Sequence, residues 1–84
     1  MTAEEKLLDA GYYDVVVFSN PGYDDALIGV TTDNQAVYDY DKMLEYLVNH
    51  DNMSEDEAAE FISYNTLRAL PYAGESAPII IYSL

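Results

Sequence analysis

The sequence predicts an α+β domain: a four-stranded, mostly antiparallel sheet covered by three helices, in the order α-β-β-β-α-α-β. Strand-like runs early in the chain are joined by connections too short for a crossover, which favours an antiparallel meander. Two helical segments with start signals then follow one another, and a final apolar run, PIIIY, supplies the last strand. At 84 residues the chain is read as one acidic domain, residues 1–84, because a chain of this length buries only about 60 to 65% of its unfolded surface and cannot support two cores.

Residues 2–10, TAEEKLLDA, are expected to form a short helix: Thr2 caps it, Glu4 and Glu5 suit its positive end, and Gly11 ends it. The run from Tyr13, YDVVVFSN, has four consecutive strand formers and stops at Asn20-Pro21-Gly22, which predicts a largely buried strand near residues 14–19. ALIGVT, residues 26–31, is the second strand. After the polar turn Thr32-Asp33-Asn34-Gln35, AVYDY is the third, with Ala36, Tyr38 and Tyr40 on one face and Val37 and Asp39 on the other, wet or bound, face.

Asp41 stands where an N-cap belongs, ahead of KMLEYLVNH with Met43, Leu44, Leu47 and Val48 at helical spacing. Ser54-Glu55-Asp56-Glu57 has the form of a capping box, in which Ser54 and Glu57 satisfy each other's free backbone donors. The third helix is expected to run through AAEFISYNTLRAL to Pro71, with Ala58, Phe61, Ile62, Asn65 and Ala69 on its apolar stripe. Pro78 opens the last strand, PIIIY, where a missing N–H is tolerated. As the least polar stretches, PIIIY and VVVF are expected side by side in the sheet centre.

Composition excludes more than it selects. Without cysteine there is no disulfide framework, thiolate metal site or cysteine nucleophile. MTAEEKLLDAG has neither a basic leader nor a long apolar stretch, and no segment approaches the ~20 apolar residues of a membrane span, so a cytoplasmic protein is the expectation. Sixteen carboxylates against Lys6, Lys42 and Arg68 give a formal charge of −13, where a small domain needs only about 2 to 8 units for solubility. That field repels nucleic acid and anionic lipid and attracts basic surfaces. The expected partner is therefore cationic, with neither direct nucleic-acid nor membrane binding.

The equipment of most enzymes is missing. The single histidine, His50, sits at a polar helix end, and no glycine-rich phosphate loop is present. HDNMSEDE lacks the central glycine of a calcium loop. No catalytic residue, metal or cofactor is expected. Four of the nine tyrosines precede an aspartate: Tyr13-Asp14, Tyr23-Asp24, Tyr38-Asp39 and Tyr40-Asp41. Tyrosines fill strand positions and aspartates mark turns without any function, but the same pairs suit a binding surface of aromatic anchors and acceptors for Arg and Lys.

Were the third strand to reach Asp41, Asp39 and Asp41 would stand roughly 6.5 to 7 Å apart, commensurate with successive phosphates, with Glu45 a helical turn beyond. Tyr38, Asp39, Tyr40, Asp41, Glu45, Asp24 and Asp25 are thus the candidate partner-binding residues. The lone Arg68 lies in the last turn of the third helix, where a cation complements the helix end and can hold a carboxylate. Arg68, Asn65, Ser54 and Glu57 are assigned structural roles.

ALIGVTTDNQAVYDYD, the capped helix after it, YNTLRALPY and the PIIIY tail together resemble a group of small acidic proteins of unassigned function from gut bacteria and their phages or mobile elements. The resemblance implies no catalytic motif. Its context implies a non-enzymatic inhibitor of a basic, nucleic-acid-handling host protein, acting as a nucleic-acid mimic, similar to anti-CRISPR proteins in size and charge. The alternatives are a small-molecule-sequestering protein with Arg68, Asn65 and tyrosines lining a pocket, and a homo-oligomeric interaction protein.

Overall fold

The computed structural model describes residues 1–84. Helix α1 (Ala3–Asp9) opens with a full capping box: the Glu5 amide donates to Thr2 Oγ1 at 3.2 Å, and the Thr2 amide donates to Glu5 Oε1 at 3.0 Å. Strand β1 (Leu27–Val30) and strand β2 (Ala36–Asp39) pair antiparallel, Leu27 opposite Tyr38 and Val30 opposite Ala36, with an irregularity between Leu27 and Gly29. Thr31 Oγ1 closes the turn between them by accepting the amides of Asp33 and Gln35, and Asn34 takes the left-handed conformation there at φ 64°.

Helix α2 (Tyr40–His50) follows β2 without a linker, and helix α3 (Glu55–Phe61) follows α2. The chain then returns as strand β3 (Ile79–Ile81), parallel to β2, with Val37 opposite Ile79 and Asp39 opposite Ile81. A parallel neighbour requires a crossover, and α2 and α3 provide it. The result is a mixed three-stranded sheet ordered β1-β2-β3, an α+β architecture of order α-β-β-α-α-β.

The expected fourth strand is absent. Residues 15–19 contain neither helix, turn nor bend, but they join no ladder. Asp14 and Asn20 bracket them in the left-handed region, at φ 59° and 52°, a conformation that aspartate and asparagine tolerate better than most residues. Strand propensity reports how side chains fit a half-buried surface and does not secure a backbone partner. Phe18 accordingly packs inward, 4.7 Å from the Tyr38 ring centroid and 5.7 Å from that of Tyr23. The sheet centre belongs to β2, with Ile79–Ile81 at an edge rather than beside VVVF.

Two local boundaries also differ from expectation. The residue in the N-cap position of α2 is Asp39, not Asp41, and its side chain makes no capping bond. The capping box of Ser54 and Glu57 does form, with both bonds at 3.1 Å. After Phe61, however, the third helix widens into a π-helical segment (Ile62–Leu67), and a 3₁₀ turn (Leu70–Tyr72) carries Pro71. Bonding i→i+5 takes in about one more residue per turn than an α-helix does. The inward position after Ile62 therefore falls on Thr66, which is buried, and the expected stripe residue Asn65 is exposed.

The core consists of Tyr23, Ala26, Ala36, Tyr38, Met43, Leu47, Ala58 and Ile62. Tyr23 is its unusual member. It holds a left-handed backbone at φ 48° while almost fully buried, and its hydroxyl pairs with Thr66 Oγ1 at 2.8 Å. This bond ties the loop before the 3₁₀ turn Asp24–Ala26 to the π-helical segment. A short aromatic chain extends from it through Tyr46, at 5.8 Å between ring centroids.

Tyr23→Phe is expected to lower stability in urea unfolding by about 1–2 kcal/mol while leaving the far-UV spectrum intact, since Thr66 loses its buried partner. Burial also holds the Tyr23 and Tyr38 hydroxyls above the ordinary value of 10.0, an effect only partly offset by their bonds to Thr66 and the Phe18 amide. A raised folded-state value favours the neutral side chain, so this stability is fully present below pH 10 and disappears as the pH climbs past it. Alkaline titration followed by circular dichroism should show unfolding linked to late tyrosine ionisation.

Candidate functional site

The residues singled out from the sequence are divided between the core and the surface. Tyr38 is fully buried, and its Oη accepts the Phe18 amide at 3.3 Å. Tyr40 is half-buried and its ring lies 5.0 Å from that of Tyr82. Asp39 is only 5% exposed. Because β2 stops at Asp39 and α2 begins at Tyr40, the regular carboxylate row from Asp39 to Asp41 along a strand does not form.

The remaining carboxylates gather on a different framework. The 3₁₀ turn Asp24–Ala26 packs on α2. Asp41 and Glu45 are exposed one helical turn apart on α2, and Asp25, Lys42, Glu45, Tyr46, Asn49 and His50 line a groove of about 250 Å³. The Asp25 carboxylate stands 3.8 Å from His50 Nε2, and the His50 ring stacks on Tyr46 at 4.4 Å. The Tyr46 hydroxyl is pushed above its ordinary range, first by desolvation and then by the carboxylates of Asp24, Asp51 and Asp25. A half-buried aromatic ring with carboxylates around it is suited to a guanidinium or ammonium group.

Asp24 is partly committed to the fold. Its Oδ1 accepts the Ala3 amide at 2.9 Å, and its backbone carbonyl accepts from Lys6 Nζ. The acidic turn thereby secures α1, and one of the three cations is engaged within the domain. The sequence reading passed over Lys42, Tyr46 and His50, although their i, i+4 spacing on a helix already put them in one row.

Arg68 is exposed, with its guanidinium 5.9 Å from the Tyr64 ring centroid. Its contact is thus with an aromatic face rather than a carboxylate. Asn65 donates from Nδ2 to the Phe61 carbonyl at 3.2 Å and lines a cavity of about 300 Å³ between residues 16–21 and the π-helical segment. Tyr23 and Thr66 also line this cavity, but Arg68 does not. No group of three or more His, Asp or Glu side chains is arranged to hold a metal ion, and no helix is long and apolar enough to cross a membrane.

Asp39 is the one buried side chain with an unpaired polar atom, Oδ1. A buried carboxylate oxygen without a donor destabilises the fold, and an amide of the same shape removes the charge. Asp39→Asn is expected to raise stability in urea by about 1 kcal/mol, and a lower midpoint would mean that the carboxylate is needed for folding.

Comparison with protein-family models, with curated proteins and with solved structures finds no match to this chain.

Proposed function

We propose that this protein is a non-enzymatic inhibitor that occupies a basic, nucleic-acid-handling host protein in place of its nucleic acid, in the manner of a phage anti-CRISPR or similar anti-defence protein. The observation that carries this reading is the carboxylate cluster around Tyr46. Asp41 and Glu45 project from α2, and Asp25, whose side chain is 75% exposed, stands beside them on the neighbouring turn. A surplus of thirteen negative charges amplifies the local field.

The contact surface differs from the strand row expected at first. Asp39 and Tyr38 are withdrawn into the domain, so recognition is assigned to Asp25, Asp41 and Glu45, with Tyr46 as the aromatic anchor. Rigid carboxylates on a helix cost a basic partner less ordering than a flexible acidic tail would. Lys or Arg residues that normally grip phosphates meet oxygen acceptors here, and charge-assisted hydrogen bonds form in place of phosphate contacts.

Affinity purification at low ionic strength should recover a basic nucleic-acid-binding protein whose complex competes with its nucleic acid. The complex should weaken with added salt. The triple variant Asp25→Asn, Asp41→Asn, Glu45→Gln should bind at least about tenfold more weakly, a loss of about 1.4 kcal/mol. Failure to recover such a partner, or a complex indifferent to both salt and the triple variant, would end this reading.

A further inference from the structure

Residues 15–19 form a straight stretch with negative φ throughout, bounded by bends at Asp14 and Asn20. They combine high strand propensity with an unused backbone. Only the Phe18 amide has a protein partner, Tyr38 Oη; the other amides and all the carbonyls of the stretch make no hydrogen bond within the protein. Val15, Val17 and Phe18 are half-buried while Val16 and Ser19 are exposed. The stretch is therefore anchored by its side chains and still presents unpaired main-chain groups, the property of an open sheet edge.

Unlike grooves flank it. On one side, residues 16–21 face Phe61, Asn65, Leu70, Ala73 and Pro78 across the cavity of about 300 Å³, whose lining includes no charged side chain. Elsewhere along the stretch, Val17 to Asn20 border a groove of about 340 Å³ with Glu4 and Asp24, and Val15 borders one of about 160 Å³ with Glu4 and Asp14. A strand's successive side chains point to opposite sides. An added strand can therefore seat an apolar side chain in the uncharged cavity and direct its neighbours toward the carboxylates.

We propose that residues 15–19 are a docking edge for an extended basic segment of a partner protein, which pairs with their backbone as an additional strand and alternates apolar with Lys or Arg side chains. Charge complementarity selects this occupant. A second copy of the chain would bring another thirteen surplus negative charges to the same edge, whereas a basic segment neutralises Glu4, Asp14 and Asp24. Main-chain pairing supplies affinity and the alternating grooves supply specificity, as in other strand-addition complexes. The inference rests on the proposed basic partner but not on the carboxylate cluster around Tyr46.

The test uses the intact protein and a peptide of about seven residues alternating lysine with valine or leucine, long enough to span the stretch. A second peptide of the same sequence is N-methylated at alternate residues, which keeps its charge and removes strand-pairing donors. Amide NMR should show perturbation and slowed hydrogen exchange at residues 15–19, with the methylated peptide at least about tenfold weaker.

Equal affinity of the two peptides, with changes confined to Asp25, Asp41, Glu45 and Tyr46, would overturn strand addition and leave the acidic-face reading standing. Strand-like protection at residues 15–19 that survives the triple variant would support strand addition while counting against that face. Occupation of the cavity by a neutral probe such as indole, with no peptide bound at residues 15–19, would also overturn the proposal and make the cavity a small-molecule site.

Discussion

The hydrogen bond between Tyr23 and Thr66 joins segments that have no other strong reason to meet. Tyr23 enters the core from a left-handed backbone position, which side chains of its kind rarely adopt, and a single buried donor–acceptor pair fixes where its ring ends. Phe18 packs on one side of that ring and Tyr46 on another. The position of the unpaired stretch, the approach of the acidic turn to α2 and the phase of the π-helical segment all depend on this tyrosine.

The charge distribution follows a similar division. Some carboxylates serve the scaffold: Glu5 and Glu57 close capping boxes, and Asp24 accepts the Ala3 amide. Others, including Asp25, Asp41 and Glu45, are left facing solvent with few cations to answer them. Because the internal needs are met by a few acids, the rest of the surplus imposes a cost in mutual repulsion that a basic partner would relieve. Affinity and stability are then linked, since whatever neutralises the surface also favours the folded chain.

Local chemistry was legible in the sequence wherever it was self-contained. The Ser54–Glu57 box, the helix rich in Met43 and Leu47, and the hairpin about Asn34 each carry their signal within a few residues. What escaped was decided by distant neighbours. Nothing within VVVF reveals that β2 will pair with β1 and β3 instead, and the Asp39 side chain looks solvent-facing until the return of β3 covers it. Arg68 looked like a carboxylate partner because of its rarity, but its nearest suitable neighbour was Tyr64, one turn back in its own helix. The acidic cluster was half visible: its charges were plain, while the role of Tyr46 required the 3₁₀ turn to be packed on α2.

The π-helical segment bears on how this chain can change length. A widened turn holds about one residue more than the α-helix from which it departs, so it is equivalent to a single-codon insertion absorbed without breaking the helix. Loss of one residue between Ile62 and Thr66 would restore ordinary pitch and keep a side chain in the inward position, while rotating Arg68 and everything beyond it about the helix axis. The wall of the neighbouring cavity formed by Ala69, Leu70 and Ala73 can thus be re-aimed in one genetic step with the core composition unchanged. In this domain an insertion or deletion, rather than a substitution, is the shortest route to a differently shaped recognition surface.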